Sequence, residues 1–171
     1  MEADFQYVPL TRAAAEKHAE EIAALGRDQP WENWRAENVL IELPDKWRLS
    51  ILVLLGNVPV AYAIVSRKGF AAHIHHLVLG PAWRGKGIGR NMLLRIAAQC
   101  ADEGTLEITL KVHRTNVAAM AFYQRSGFSL TAENLGDWLQ MRATTHTVVE
   151  ALACALGQEQ PDAARSRQWS Q

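Results

Sequence analysis

The sequence predicts an α/β chain of the mixed α+β kind: one mixed, mostly antiparallel sheet flanked by helices. Three patterns lead there. Apolar runs over residues 47–79 are broken by Gly56-Asn57 and Arg67-Lys68-Gly69, which reads as a meander. A strand over 70–79, a glycine-rich turn, a helix and a strand over 106–112 then follow in line, which requires two parallel strands. A closing hairpin over 128–143 turns at Asn134-Leu135-Gly136-Asp137.

Residues 5–10 form a short apolar strand, and Thr11 caps a helix whose apolar positions are Ala15, Ala19, Ile22 and Leu25, closed by Gly26. Pro30 stands where a second short helix starts, carrying Trp31, Trp34 and Leu40 and ending before Pro44. Trp47, Leu49, Ile51, Val53 and Leu55 alternate as a strand, and 58–66 resumes after the turn with Pro59 near its start, where a missing N–H is tolerated. Met92, Leu93, Ile96, Ala97 and Cys100 recur at helical spacing up to Gly104. Leu106, Ile108, Leu110 and Val112 alternate strictly with polar residues, the cleanest strand signal in the chain. Asn116 caps a helix over 117–126, Gly127 takes the left-handed closing position, and Phe128 folds back on the last turn.

The chemistry concentrates in Arg84-Gly85-Lys86-Gly87-Ile88-Gly89, between a strand and the helix opening at Arg90. A helix start leaves several N–H groups without internal partners, and its dipole favours an anion. Gly87 and Gly89 let a ligand approach the backbone itself, and Arg84 and Lys86 add positive charge, so the turn reads as a pyrophosphate cradle. On its own, a short glycine motif is equally well explained as an ordinary strand-to-helix turn with solvated basic residues.

The chain has 171 residues, enough for one domain with a core of its own. Eighteen basic and eighteen acidic residues cancel, so no global field draws it to nucleic acid or to an anionic membrane. Two distant cysteines make no disulfide framework, and Cys100, on an apolar helix face, is a poor nucleophile. No stretch is long enough to span a bilayer, and the first residues carry no leader pattern, so a cytoplasmic location is expected.

Two motifs together, Arg84-x-x-Gly87-x-Gly89 after a strand and Asn116-x-Ala118 through Phe122-Tyr123-x-x-x-Gly127-Phe128, resemble the GNAT superfamily of acyl-CoA-dependent N-acetyltransferases. The resemblance runs over roughly 5–143. It implies a sheet splayed open between its two central parallel strands, here 70–79 and 106–112, with the thioester arm of acetyl-CoA in the gap and no metal. It further implies that the backbone of Leu77 and Leu79 pairs with the pantetheine arm. The N–H groups of Arg84, Gly85, Lys86, Gly87, Ile88, Gly89 and Arg90 would hold the pyrophosphate, and Asn116 would help hold the second strand and the coenzyme. Tyr123 takes the place of the family's usual general acid, which protonates the departing sulfur; the plainer role is that of a core tyrosine.

An alkylammonium has a pKa of ~10 and no lone pair, so something must take a proton before the amine attacks. Many members of the superfamily use a glutamate on the strand before the phosphate turn, but 70–79 contains no carboxylate and carries His73-Ile74-His75-His76 instead. Strand parity places His73 and His75 on one face and His76 on the other, unless a bulge intervenes. The His-x-His-x-Leu spacing and Tyr123-Gln124-Arg125 resemble the arylalkylamine N-acetyltransferase branch, which makes His75 the nearer base and His73 its relay. The competing role for each histidine, preferred for His76, is a bond to a carbonyl within the sheet.

Acceptor selection falls to 29–35 and 131–137, where Trp31 and Trp34 can wall a pocket and Glu32 or Glu133 can attract an ammonium; core packing is the plainer role for the tryptophans. The leading expectation is therefore acetyl transfer to a small-molecule primary amine, against a protein or peptide amine and a noncatalytic acyl-CoA binding module. The organisation expected is a catalytic domain over 1–143, an amphipathic helix over 144–157 and a polar, flexible tail over 158–171. That helix is a candidate homodimer contact unless it docks on its own domain.

Overall fold

The computed structural model describes residues 4–158. Its strands are β1 (Phe5–Pro9), β2 (Ile51–Leu55), β3 (Val58–Lys68), β4 (Ala71–Leu79), β5 (Glu107–His113), β6 (Ser129–Leu135) and β7 (Trp138–Thr144). Its helices are α1 (Arg12–Ala24), α2 (Ala36–Leu40), α3 (Lys46–Leu49), α4 (Ile88–Asp102), α5 (Val117–Arg125) and α6 (Thr145–Gln158). The strands make one sheet ordered β1-β2-β3-β4-β5-β7-β6, and only β4 and β5 run parallel. The expected tail lies, beyond residue 158, outside the described residues.

Local chemistry explains most boundaries. Thr11 Oγ1 accepts the Ala14 N–H at the start of α1, and Asn116 Oδ1 accepts the Ala119 N–H at the start of α5. Gly104 and Gly127 follow α4 and α5 at positive φ, where a residue without Cβ closes a helix at no steric cost.

Three elements depart from the sequence pattern. Helix α1 ends at Ala24 rather than at Gly26. No helix follows Pro30: α2 begins only at Ala36, where the Arg35 N–H donates to Asn38 Oδ1 at 2.9 Å. The intervening chain is irregular because Trp31 and Trp34 are drawn onto His113 and His76, contacts that outweigh helix propensity. Trp47 and Leu49 belong to the single turn of α3 and not to a strand. There the buried Lys46 ammonium donates to Val39 O and Ile41 O, both at 2.6 Å, and so satisfies carbonyls at the end of α2.

Each sheet face has its own core. One buries Ile22, Leu52, Tyr62, Ile64 and Val78 beneath α1 and α2. The other buries Val53, Ile74, Ile108 and Leu110 beneath α4, whose Ile88, Met92, Leu93 and Ile96 face inward. Helix α6 joins this second core through Val148 and Leu152, so these two apolar positions are used against its own domain.

The centre of the sheet positions the site. Strands β4 and β5 pair only from Ala71↔Glu107 to Ile74↔Leu110. Beyond that point β4 stays bonded to β3 through Leu79, and β5 stays bonded to β7 through His113, so the two part while each is held on its outer side. The parting starts at an irregularity: Val65 pairs with Ile74 and Ile64 with His76, leaving His75 as an inserted residue. Such a bulge bends and twists its strand. The expected splay is thus present, and the bulge lies at its root.

Candidate active site

A cleft of about 1220 Å³ passes through the parted strands and reaches both sheet faces. Every site residue expected from sequence borders it except Glu133, which stays outside the lining, and Lys86, whose ammonium instead lies over the Trp83 ring at 5.7 Å. On the α4 side, Gly85 and Gly87 have φ of +73° and +78°, and the space where a Cβ would stand is open at both. Gly87 is the N-cap of α4, so the first-turn N–H groups of a four-turn helix open into this space. Leu77 and Leu79 lie on the part of β4 that has left β5. Extended backbone, uncrowded glycines and a helix start together fit a long acyl-CoA whose pyrophosphate needs N–H donors.

Arg84 does not offer a free cation to that space. Its guanidinium bonds both carboxylate oxygens of Asp28, at 2.7 and 2.9 Å, and its Nε donates to Leu79 O at 3.1 Å. The fork-to-carboxylate geometry holds the Asp28 carboxyl below its ordinary range and pins the chain after α1 to the glycine turn.

Tyr123 reaches the cleft from α5 with its ring buried against Phe122 and Phe128. Burial raises its phenol, so the hydroxyl keeps its proton at neutral pH and acts as a donor. Cys100 is buried in the same core, on the inward face of α4, and burial pushes its thiol up to about 11, which leaves almost no thiolate.

The histidines occupy the opposite wall. His73 Nδ1 lies 2.8 Å from Thr109 Oγ1, which donates in turn to Ala72 O at 3.4 Å. That direction makes His73 Nδ1 the protonated nitrogen and leaves the lone pair on Nε2. His75 Nε2 lies 2.7 Å from Ser66 Oγ, and the His73 and His75 rings meet edge to face at 4.8 Å. Burial pushes His73 down to about 4, helped by His75, and burial also lowers His75. Both are neutral imidazoles at pH 7.

His76 is the residue that parity misplaced. The bulge brings it round to the α1–α2 side, against the Trp34 ring at 3.8 Å, with Tyr62 Oη and Glu32 Oε2 each 3.2 Å away. It therefore bonds side chains of the cleft wall and not a carbonyl of the sheet. Trp31 and Trp34 are half-buried in that wall. Trp31 stacks on His113 at 5.0 Å and 5°, and His113 meets Trp138 edge-on at 5.3 Å, so an aromatic bridge joins the segment after α1 to the closing hairpin. Sequence reading passed over His113 and Lys111, although both share the parity of Thr109 on β5.

The sequence profile of the acetyltransferase (GNAT) family matches residues 12–128. The chain is 35% identical over 124 residues to the N-alpha-acetyltransferase RimI of Mycobacterium tuberculosis (strain ATCC 25618 / H37Rv), covering 70% of this chain and 75% of that one. It is 32% identical over 68 residues, 40% of this chain and 42% of the other, to spermidine N(1)-acetyltransferase of Thermoplasma acidophilum. Among solved structures, the PaiA N-acetyltransferase of T. acidophilum in complex with coenzyme A superposes with a TM-score of 0.68 at 18% identity, over 82% of this chain and 99% of that chain.

Proposed function

Because the chain belongs to the acetyltransferase (GNAT) family and is an N-acetyltransferase, we propose that it moves the acetyl group of acetyl-CoA onto a primary amine of a small molecule by direct attack. The observation that carries this reading is the parting of β4 from β5 between a glycine turn on one side and a histidine-lined wall on the other. Acetyl-CoA supplies the activated thioester. In this reading the backbone of Leu77 and Leu79 aligns its arm, and the N–H groups from Gly85 to Arg90 take the pyrophosphate. Asn116 caps α5 and thereby fixes where Tyr123 stands. The Tyr123 hydroxyl hands a proton to the leaving sulfur, and His75, with His73 behind it, passes the amine's proton towards solvent. The high thiol pKa of Cys100 supports transfer without an acylated enzyme.

The aromatic bridge from Trp31 through His113 to Trp138 supports a small acceptor, because it closes the side between the α1–α2 segment and the closing hairpin. The identity to a protein N-alpha-acetyltransferase favours a second reading, a peptide amino terminus. Thiol release from acetyl-CoA, followed across simple amines, aminosugars and short peptides, separates the two. Turnover confined to peptides overturns the small-molecule reading, and CoA binding without thiol release to any acceptor leaves a noncatalytic binding module.

The buried histidines give the pH dependence a definite sign. A lowered pKa keeps each imidazole neutral until the pH falls through the lowered value. The profile of kcat/KM is therefore expected to cross pH ~6.5, the ordinary histidine value, without a break. His75→Ala should lower the rate by about 10²-fold at pH 7 and by less in alkali, where the amine has already lost its proton. A wild-type inflection near ~6.5 that vanishes in His75→Ala would mean a solvated, ordinary histidine and remove the buried relay.

A further inference from the structure

The cleft carries five basic side chains, Lys68, Arg84, Arg90, Lys111 and Arg125, and among the described residues one acidic one, Glu32. The Glu32 side chain is only 15% exposed, and its ion-pair partner is His76; no lysine or arginine of the described residues pairs with it. The hydrogen bonds around His76 have a direction. An ionised carboxylate only accepts, so the proton of a neutral His76 imidazole is on Nε2, pointing at Glu32, and Tyr62 Oη then donates to His76 Nδ1. Burial pushes His76 down to about 3, which keeps that imidazole neutral. Glu32 is thus held by a donor but lacks a counter-charge.

A desolvated carboxylate without a cation is costly, and burial accordingly raises the Glu32 pKa. Its surroundings suit one particular guest. Trp34 packs on His76 beside it, and Trp31 borders the same cleft, so the wall around this one negative charge is largely aromatic.

We propose that Glu32, oriented by His76 and Tyr62 and flanked by Trp31 and Trp34, receives the single ammonium group of an acceptor whose remaining body is apolar. The inference rests on the acetyl-transfer reading of the cleft and adds the charge and shape of the acceptor. One carboxylate neutralises one ammonium, so a second cationic group would lie near the basic side chains of the cleft with no second carboxylate among the described lining residues. Monoamines are selected over diamines of the same length.

The test uses the full chain saturated with CoA, with n-hexylamine, 1,6-diaminohexane and hexan-1-ol as probes in calorimetry, and the two amines as acceptors in thiol-release assays. Hexylamine should bind at least ~10-fold more tightly than hexanol, and the diamine should show a KM at least ~10-fold higher than the monoamine. Glu32→Gln should raise the hexylamine KM and Kd by ~10- to 100-fold, change kcat by less than ~3-fold, and leave hexanol binding and the acetyl-CoA KM as they were. Glu32→Asp should recover part of the loss. The wild-type comparison of amine with alcohol needs no variant, so a poorly folded Glu32→Gln does not rescue the idea. Equal binding of amine and alcohol, preference for the diamine, an unchanged hexylamine KM in Glu32→Gln, or no binding of hexylamine to the wild type each overturns it. Thiol release that ignores Glu32 sinks this inference and leaves acetyl transfer standing; Glu32-dependent amine binding without thiol release does the reverse.

Discussion

Replacing Tyr123 with phenylalanine is expected to lower kcat by about 10²- to 10⁴-fold, the range typical of a lost general acid, with little change in the KM for acetyl-CoA. The substitution removes one oxygen and keeps the ring, so the contacts with Phe122 and Phe128 survive and stability changes little. Burial keeps the phenol protonated across the working range, so the wild-type hydroxyl is a donor at every pH where the enzyme is assayed. A tyrosine that only packs would show the opposite signature: kcat intact and, at most, a shifted melting point. Unchanged turnover in a folded Tyr123→Phe protein would therefore assign the proton to water or to another side chain.

Gly127→Ala should be the most damaging of the single-methyl additions at the turns, at about 2–4 kcal/mol. Gly127 holds φ at +94° after α5, and an added Cβ would stand 2.8 Å from Thr147 Cγ2 and 3.2 Å from Thr147 O. The methyl group could swing away; the carbonyl belongs to α6 and could not without moving the helix. Gly56 supplies the control. It shares the positive φ, at +60°, but nothing lies within 4 Å of its added Cβ, so Gly56→Ala pays only the backbone term of about 1–2 kcal/mol. Denaturant midpoints for the two variants separate strain from collision, and equal losses would show that the approach of α6 contributes nothing.

The features written in adjacent residues were legible from sequence: the Thr11 and Asn116 caps, the Gly127 closure, the Gly56-Asn57 turn and the alternation of β5. Each is local chemistry, decided within a few positions of the chain. What escaped was decided across the fold. The inserted His75 has no glycine or proline to announce it, yet it determines which wall receives His76. The segment after Pro30 carries a helix-starting signal that lost to the packing of Trp31 and Trp34 on histidines far along the chain. Arg84 reads as a phosphate ligand until Asp28, 56 positions earlier, claims its guanidinium. No sequence signal marks Lys46, whose ammonium nonetheless lies under the last carbonyls of α2. Charges and aromatic rings find their partners in three dimensions, so their roles were the least readable part of the chain.

Most sheets keep their unsatisfied margins at the periphery, where lysines, prolines or brevity discourage intruders. Here β4 and β5 each retain a neighbour on the outside and turn a bare margin inward, so two ribbons of amides face one another across a slot in the middle of the molecule. Neither trimming nor surface charge can blunt a margin placed there. A slender, extended chain bearing amide groups of its own can bond to both margins at once, which is the shape the proposed acetyl-CoA arm brings.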